Sequence, residues 1–341
     1  MAKIVYIGNK LFKSRGTLTV LETIEPKLRE ISSIVSYSSH TNFLLKILNS
    51  TYGLFLNFFQ LKLVIIDLYS TNYRYFAFYI HLLCRFLNKP YIIYMHGGNL
   101  PNMYNKHNFI FKNILSNAKK IIAPSNYLYN FFEEKYPNIY LIPSVIEIEK
   151  YPFKRDRFNN TNPKILYIRG FGEVYNPQMI IKAIKIIVEK FPEIQVSMLG
   201  HDIDGTLEKC KKLVVQLNLS ENILFLEKMT RDNWVELAND HSIMVSTPNI
   251  DNLPISVIEG MLLGMPVVST NVGGVGYIIE NEITGLLVEK NNHEELAFQI
   301  NKLLVDKQLF ENISKKSRII SEKYSWINLK DKWKNTLAEF V

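Results

Sequence analysis

The sequence predicts an α/β protein built from two Rossmann-like domains. Short runs rich in Ile, Leu, Val and Tyr alternate with longer helical patterns along the whole chain, which is typical of parallel sheets covered by helices. One polar segment, residues 146–163, interrupts this alternation, which then starts afresh, so we interpret the segment as a linker. The chain has 341 residues, and this length suits two domains of about 150 residues each.

The first half contains six apolar runs that are the predicted strands, and helical spacing fills the stretches between them, for example at residues 18–31 and 125–136. The predicted strands are residues 4–7, 34–37, 63–66, 91–95, 120–123 and 140–142.

The second half repeats the pattern, with strands predicted at residues 165–168, 195–199, 223–226, 243–246, 266–269 and 285–288. Helices are expected between them, at residues 177–190, 206–217, 231–239, 254–263 and 293–304. Ligands of open α/β sheets bind at the carboxyl ends of the strands. We therefore expect the two domains to face a central cleft that holds the functional site.

Cysteine use and the first residues favour a cytoplasmic protein. Cys84 and Cys210 are far apart and have no histidine at metal-ligand spacing, which argues against a disulfide framework and a structural zinc site. Residues 1–8 lead directly into a strand and lack the longer apolar run and cleavage site of a signal peptide. Charged residues interrupt two apolar stretches, 52–69 and 75–94, so we interpret both as core elements and not as transmembrane helices.

The formal net charge of +8 indicates an anionic partner. Nucleic acid is not expected, because the sequence has no zinc finger, RNP-like strand or recognition-helix signature. Phosphate-bearing substrates and an anionic membrane surface both account for the charge. A solvated surface rich in Lys and Asn accounts for it as well.

The aromatic run at residues 52–59 is where we expect the chain to contact a membrane. With Lys46 before it and Lys62 after it, the run predicts an amphipathic helix at the boundary of an anionic membrane. The residues expected to insert are Leu54, Phe55 and Phe58. The alternative is that the same aromatic side chains pack against the first sheet.

Residues 249–274 carry the most informative pattern. Asp251 and Asn252 precede a predicted helix that begins at Pro254 and ends at Gly264. The start of a helix presents free backbone N–H groups and the positive end of the helix dipole. Together these form an anion site suited to a diphosphate.

Glu259 lies about one and a half turns into this helix, among apolar neighbours. A buried carboxylate is costly without a partner, so Glu259 should meet a hydroxyl or a cation, and the diol of a ribose would satisfy it. The alternative is a glutamate on the helix surface that pairs with a nearby lysine.

This segment resembles the donor-binding signature of family four glycosyltransferases, in which one acidic residue is followed eight positions later by a second. Here the two are Asp251, where the family usually has Glu, and Glu259. The resemblance implies that Glu259 holds the nucleotide ribose and that Asp251 contacts hydroxyls of the transferred sugar. It also places the intervening residues at the donor, namely Asn252, Leu253, Pro254 and Ile255.

Two further segments of the second half are similar to the family. Arg169-Gly170 occupies the position where the family carries Gly-Arg and then a Lys to clamp the donor phosphates, and the expected Lys falls near Tyr175. The resemblance implies that Arg169 reaches the pyrophosphate; alternatively it is a surface or interdomain residue. Leu226 lies in the strand and turn that would receive the nucleobase.

In the first half, Arg15 and Gly16 lie where the family has a Gly-Gly loop that contacts the donor phosphate or sugar, although a flexible turn explains them equally well. His96 ends a predicted strand before two glycines, and the resemblance implies a hydrogen bond to the transferred sugar and not proton abstraction. A structural histidine is the alternative. Asp202-Ile203-Asp204 is read as a loop, and no metal is expected.

The resemblance covers nearly the whole chain and implies the retaining GT-B fold. Residues 1–150 would form an acceptor-side domain, residues 151–324 a nucleotide-sugar-binding domain, and residues 325–341 a terminal helix that packs back on the first domain. The implied enzyme is metal-independent, uses no cofactor, and works in the cytoplasm or at the cytoplasmic face of the membrane.

The implied reaction moves a sugar from a nucleotide-sugar donor to a saccharide or lipid-linked glycan, in bacterial surface polysaccharide synthesis. Two alternatives are a nucleotide-sugar epimerase or hydrolase of the same fold, and a catalytically silent module that binds the donor.

Overall fold

A computed structural model describes residues 3–10, 19–37, 40 and 42–341. The chain divides into two compact units, one formed by Met1–Glu147 with Tyr324–Val341 and the other by Ile148–Lys323. Each unit has its own six-stranded sheet, in which every paired strand is parallel to its neighbour.

The strands of the first unit follow the order β2-β1-β3-β4-β5-β6. They are β1 (Ile4–Ile7), β2 (Ile34–Tyr37), β3 (Leu63–Tyr69), β4 (Tyr91–His96), β5 (Lys120–Ala123) and β6 (Ile139–Leu141). The second unit has the order β12-β11-β10-β7-β8-β9. Its strands are β7 (Lys164–Ile168), β8 (Gln195–Leu199), β9 (Ile223–Leu226), β10 (Ile243–Ser246), β11 (Val267–Thr270) and β12 (Leu286–Val288).

Helices fill the connections in both units. The first unit contains α1 (Val20–Leu28), α2 (Phe43–Asn57), α3 (Tyr73–Phe86), α4 (Leu100–Lys106), α5 (Asn108–Ser116) and α6 (Asn126–Phe132). The second contains α7 (Pro177–Ile187), α8 (Thr206–Gln216), α9 (Arg231–Leu237), α10 (Ile255–Leu262), α11 (His293–Val305) and α12 (Lys307–Ser321), and α13 (Trp326–Leu337) then returns to the first unit.

Each face of the first sheet packs against its own group of helices. Val5 and Ile66 point into a core shared with α2, α3, α5 and α6, whereas Tyr6 and Ile65 point to the opposite side, towards α1 and α13. Trp333 of α13 is fully buried in this second core, with its ring 5.6 Å from that of Tyr94. The alternation follows from the two-residue period of a strand, which sends successive side chains to opposite faces.

The α/β fold class predicted from the sequence is confirmed, and most strands begin and end within one residue of their predicted positions. Serine side chains cap two helices. Ser125 accepts the N–H of Leu128 at 3.2 Å before α6, and Ser325 accepts that of Asn328 at 3.4 Å before α13. No helix in the described part of the chain is long and apolar enough to cross a membrane.

The segment interpreted as a linker contributes to the second unit. Arg157 is buried, and its guanidinium donates to the carbonyls of Leu263 at 2.9 Å and His241 at 2.8 Å. Tyr151 is buried as well. An arginine can be buried when its guanidinium donates to several backbone carbonyls, so this connecting segment packs against the second unit.

Some of the membrane contacts predicted for helix α2 are wrong. Leu54 is fully buried in the core of the first unit, so its predicted insertion into a membrane is wrong. The predicted contact of Lys46 with anionic lipid is also wrong, because Lys46 is buried and donates to Oδ1 of Asn9 at 2.8 Å. Phe58 is partly buried beneath Lys89, whose ammonium lies 4.5 Å from the ring centre, whereas Phe55 is exposed as predicted.

Candidate functional site

The candidate site of the second unit lies at the carboxyl edge of its sheet, where the strand order reverses. β7 and β10 are neighbours, but the chain continues from them in opposite directions, to β8 and to β11. Loops diverge at such a point and leave a crevice in which ligands of this architecture bind. Arg169 follows β7, and residues 247–252 follow β10, so two of the predicted motifs end at the same crevice.

The loop after β11 supports the loop after β10 by direct backbone contact. The N–H of Gly274 donates to the carbonyl of Asp251 at 3.0 Å. Gly273 has a φ of +53°, and a Cβ at either glycine would collide with the backbone of Asp251 or Asn252. Glycine alone fits this approach, which holds the predicted donor-binding backbone in place.

Arg169 and Asp251 form a largely buried ion pair, in which a guanidinium nitrogen donates to Oδ2 of the carboxylate. Oδ1 of the same carboxylate accepts the N–H of Asn252 at 2.8 Å. The guanidinium also lies over the ring of Tyr175, 5.0 Å from its centre. Burial lowers the pKa of Arg169 from its ordinary value, but guanidinium groups stay protonated in proteins. The charge of Arg169 is thus oriented by Asp251 and Tyr175.

The turn that carries Tyr175 is tied to the end of β10. The hydroxyl of Thr247 donates to the carbonyl of Tyr175 at 3.1 Å and to that of Asn176 at 2.9 Å. Asn176 has left-handed backbone angles before α7, and its side chain donates to Oδ1 of Asn291 at 2.9 Å instead of capping the helix. Asn176 therefore does not cap α7, which begins at Pro177 as expected.

Helix α10 begins at Ile255, with Pro254 as its cap and not as its first residue. The N–H groups of Val257 and Ile258 donate to the carbonyl of Pro254, at 3.1 and 3.3 Å. Pro254 has no side-chain donor or acceptor, so no cap side chain covers the first turn. Without such a cap, the first-turn amides and the helix dipole make this start a place for an anion. The helix ends at Leu262 with Leu263 as its cap, and Gly264 follows with a φ of +83°.

Glu259 is 9% exposed, so the alternative of a surface glutamate paired with a lysine is wrong. Its partner is a hydroxyl, since the phenol of Tyr151 donates to Oε1. Burial raises the pKa of Glu259, and the Tyr151 hydrogen bond and the charges of Arg231 and Arg169 oppose that rise. Arg231 also lies over the Tyr151 ring, 5.9 Å from its centre. A carboxylate held near two cations, with one oxygen already bonded, is suited to receive ligand hydroxyls.

The first unit has a second polar cluster, centred on Asp67 in β3. The hydroxyl of Tyr6 and Nε2 of His96 both lie 2.8 Å from Oδ1 of Asp67. The backbone N–H of Asn9 donates to Oδ2 at 3.4 Å. A Cβ at Gly8 would collide with the Asp67 carboxylate, so only glycine lets the end of β1 pass. The carboxyl ends of β1, β3 and β4 meet here, and His96 is therefore held by a carboxylate at the sheet edge.

Aromatic rings pack against His96 on this edge. Its ring stacks on that of Tyr69 with centres 4.7 Å apart, and the Tyr94 ring lies 4.5 Å away. A carboxylate only accepts hydrogen bonds, so the neutral imidazole must carry its proton on Nε2, which leaves Nδ1 as an acceptor. Burial raises the pKa of Tyr6 well above its ordinary value, with the Asp67 charge adding to the effect, so the phenol stays protonated and donates.

The remaining predicted site residues have simpler surroundings. Leu226 ends β9, and its carbonyl accepts the N–H of Gly200 at 3.3 Å. Leu253 is partly buried between Asn252 and Pro254, which are both buried. Arg15 and Gly16 lie outside the described residues.

Asp202 and Asp204 hold the start of α8, as a loop interpretation requires. Oδ1 of Asp202 accepts the N–H of Gly205 at 3.0 Å, and Oδ1 of Asp204 accepts that of Thr206 at 3.2 Å. Both carboxylates therefore act as local acceptors in the loop.

Sequence reasoning missed Asp67 and Tyr151. A signal for Asp67 existed, because an aspartate inside a strand as apolar as β3 must be paired if the strand is buried. No signal pointed to Tyr151, which lies 108 positions from Glu259 in a segment of polar composition.

The sequence of this chain is similar to those of known glycosyltransferases. A family model for glycosyl transferases group 1 matches residues 149–319. An uncharacterized glycosyltransferase of Methanocaldococcus jannaschii is 28% identical over 248 residues, which are 70% of this chain and 66% of that protein. The N-acetyl-alpha-D-glucosaminyl L-malate synthase of Bacillus anthracis is 24% identical over 209 residues, which are 60% of this chain and 51% of that protein. The aligned parts thus span two thirds or less of these relatives.

Solved structures share the fold over the full length. HepE of Anabaena, in a crystal with UDP, has a TM-score of 0.77 at 15% identity and covers 99% of this chain and 100% of its own. The sucrose-phosphate synthase of Thermosynechococcus elongatus has a TM-score of 0.79 at 14% identity, with 99% and 98% covered. The GT-B fold expected from the sequence is confirmed by these likenesses.

Replacing Glu259 by Gln is expected to change how stability depends on pH. Because burial raises the pKa of Glu259 above its ordinary value of 4.5, the unfolded chain ionises first as the pH rises. The free energy of unfolding of the wild type, relative to Glu259→Gln, should therefore fall as pH rises from 4.5 through the folded-state pKa. Urea unfolding at several pH values measures the difference. The exposed Glu208→Gln is the control, and a pH-independent difference for Glu259→Gln would contradict the burial argument.

The Asp67→Asn variant tests how His96 is held. An amide cannot accept from Tyr6, His96 and Asn9 together, so we expect a loss of about 2 kcal/mol in unfolding free energy. Nitrogen NMR of the imidazole should show the proton on Nε2 in the wild type and a partial shift to Nδ1 in the variant. Tyr6→Phe, which removes another donor to the same oxygen, should leave the tautomer unchanged. A wild-type proton on Nδ1 would refute the assignment.

Proposed function

The chain belongs to the glycosyl transferases group 1 family, and on that premise we propose that it transfers a sugar from a nucleoside-diphosphate sugar to an acceptor hydroxyl. The reaction breaks the bond between the anomeric carbon and the diphosphate oxygen and forms a bond to the acceptor oxygen, with retention of configuration. The acceptor is a saccharide or a lipid-linked glycan, and the product serves bacterial surface polysaccharide synthesis.

One observation carries this proposal. A helix start free of side-chain caps, an oriented guanidinium and a buried carboxylate stand together at the switch point of the second sheet. These features match the parts of a nucleoside diphosphate. The α10 start and the guanidinium of Arg169 would receive the phosphates, and Glu259 the ribose hydroxyls. Asp251, the ion-pair partner of Arg169, would meet the hydroxyls of the transferred sugar.

The leaving diphosphate gains negative charge as its bond to the sugar breaks. The amides at the start of α10 and the guanidinium of Arg169 would stabilise that charge without reorganising, because the backbone and the Asp251–Tyr175 contacts already orient them. His96, with Nδ1 as an acceptor, would take a hydrogen bond from a hydroxyl of the transferred sugar. Leu226 would lie at the nucleobase.

UDP is the first nucleotide to test, because HepE was crystallised with UDP and with UDP-glucose. Acceptors of the relatives differ widely, as their names show: one is an N-acetyl-alpha-D-glucosaminyl L-malate synthase, and another is a poly(ribitol-phosphate) alpha-N-acetylglucosaminyltransferase of Staphylococcus aureus. The acceptor is therefore best sought by experiment. We place the enzyme in the cytoplasm, at the membrane where lipid-linked acceptors are presented, and the excess of positive charge supports that location.

A panel of nucleotide sugars tests the donor. A ligand that binds only the folded state raises the unfolding temperature with its concentration, so the true donor should stand out. Product analysis with and without saccharide acceptors then separates the alternatives. Sugar on the acceptor supports the transferase. An altered or hydrolysed donor without acceptor indicates an epimerase or hydrolase, and binding without turnover indicates a silent module.

Glu259→Gln should weaken UDP binding, because the ribose loses a charged acceptor while the helix keeps its shape. A loss of about 2–3 kcal/mol, or roughly 30- to 150-fold in Kd, is expected for a hydrogen bond to a charged group. Calorimetry with UDP and with the UDP-sugar measures it. Asp251→Asn should instead weaken the UDP-sugar more than UDP alone. Unchanged UDP affinity in Glu259→Gln would exclude Glu259 from the site.

Turnover should survive EDTA, because we assign neutralisation of the diphosphate to the α10 start and Arg169. The measurement is the rate of sugar transfer before and after dialysis against the chelator. Loss of activity that returns with Mn²⁺ or Mg²⁺ would show that an ion performs this task.

A further inference from the structure

Helix α2 buries polar residues and exposes apolar ones, which is the reverse of the usual pattern for a helix with one face in water. Its buried stripe includes three polar residues, namely Lys46, Ser50 and Asn57. Its solvent side carries large apolar residues one helical turn apart, namely Leu44, Leu48, Tyr52, Phe55 and, just beyond the helix, Phe59. A helix packed on a core normally shows the reverse pattern. We call this exposed stripe of five residues the α2 stripe.

The apolar side chains of the α2 stripe are largely exposed. Leu44 is 68% exposed, Leu48 64% and Phe59 90%, and they follow one another along a single face. Isolated exposed apolar residues are common, but a contiguous row of them marks a surface that meets an apolar partner.

The buried side of α2 shows that the helix cannot simply rotate to hide the stripe. Lys46 donates to Asn9 at 2.8 Å and lies 4.9 Å from the centre of the Tyr73 ring. The side-chain amide of Asn57 donates to the hydroxyl of Tyr37 at 3.1 Å. Gly53 sits so close to the Tyr37 ring that a Cβ has no room. These specific contacts fix the rotation of the helix and keep the apolar row outside.

Neighbouring elements extend the surface. Helix α3 lies beside α2, since the hydroxyls of Thr51 and Tyr79 are 2.7 Å apart, and α3 exposes Leu82 and Phe86. Lys89, in the turn after α3, donates to the carbonyl of Leu61 at 3.0 Å and so joins that turn to the end of the α2 stripe.

Charge around the stripe has a single sign. Between Glu30 and Glu133 the only acidic residue in the sequence is Asp67, and it is fully buried. The same segment contains nine Lys and Arg residues, namely Lys46, Lys62, Arg74, Arg85, Lys89, Lys106, Lys112, Lys119 and Lys120. Lys62 and Arg85 are exposed close to Phe59 and Phe86 in the chain. An apolar row bordered by cations, in a segment whose single carboxylate is buried, complements an anionic lipid layer.

We propose that the α2 stripe inserts into the headgroup boundary of an anionic phospholipid membrane, with the exposed Lys62 and Arg85 against the lipid phosphates. A second copy of the chain is a poorer occupant, because pairing the same face would bring like charges together without any carboxylate to balance them. The proposal specifies the membrane location suggested above and rests on it, but lipid binding does not require the transferase activity.

Vesicle flotation tests this surface directly. The full chain should float with vesicles that contain phosphatidylglycerol, bind far less to pure phosphatidylcholine, and detach at high salt, where charges are screened within about 3 Å at 1 M. Leu48→Gln/Phe55→Gln should lower the partition coefficient about 100-fold, since each apolar side chain withdrawn from the boundary contributes about tenfold. Lys62→Gln/Arg85→Gln should lower binding to anionic vesicles and leave the weak binding to neutral ones unchanged.

A matched control comes from the second unit, where Phe298 and Ile319 are exposed to a similar degree. Phe298→Gln/Ile319→Gln should bind vesicles like the wild type, and circular dichroism should show equal melting of all variants. The proposal is overturned if wild type ignores anionic vesicles, if the control loses binding equally, or if sedimentation reveals a dimer that Leu48→Gln/Phe55→Gln disperses. Thermal stabilisation by the donor should be the same in Leu48→Gln/Phe55→Gln as in wild type, so failure here is separate from failure of the transferase proposal.

Discussion

Parallel pairing of strands is the constraint on which both polar clusters depend, because it sends every strand out of the sheet at the same edge. In the second unit, this brings the residues after β7, β10 and β11 together, and Arg169 meets Asp251 although 82 positions separate them. In the first unit the same geometry gathers Tyr6, Asp67 and His96 from β1, β3 and β4. The order of the strands in each sheet therefore determines which polar residues become neighbours.

Buried charge is handled differently in the two clusters, and the difference suits their assigned tasks. Asp67 accepts hydrogen bonds from Tyr6, Tyr69, His96 and the backbone of Asn9, so it serves as a fixed anchor that orients His96. Glu259 has one hydroxyl partner and two cations nearby, and burial holds its pKa above the ordinary value. A carboxylate in that state gains from a ligand that brings further hydroxyl donors, because each new hydrogen bond offsets its desolvation.

The α2 stripe shows that amphipathic periodicity alone does not tell which face of a helix is buried. Residues 52–59 have the spacing of an amphipathic helix, which predicts that Leu54, Phe55 and Phe58 all insert into a membrane. The structure separates them, since Leu54 enters the core, Phe58 lies beneath Lys89 and Phe55 faces outward. Contacts of Lys46, Gly53 and Asn57 with other elements fix the rotation of the helix, and this rotation determines which side chains are buried.

The sequence by itself determined the fold class, nearly all strand positions, the start and end of α10 within one residue, and the pairing of motifs that marks the family. Those features depend on local periodicity, turn residues and short spacings, which the chain carries without reference to distant parts. Tertiary structure alone decided that Tyr151 is the partner of Glu259, that Asp251 holds Arg169, and that Arg157 is buried. Each of these depends on residues more than 80 positions apart meeting in a dry interior, where a polar group must find its partner through the fold and not through its neighbours in sequence.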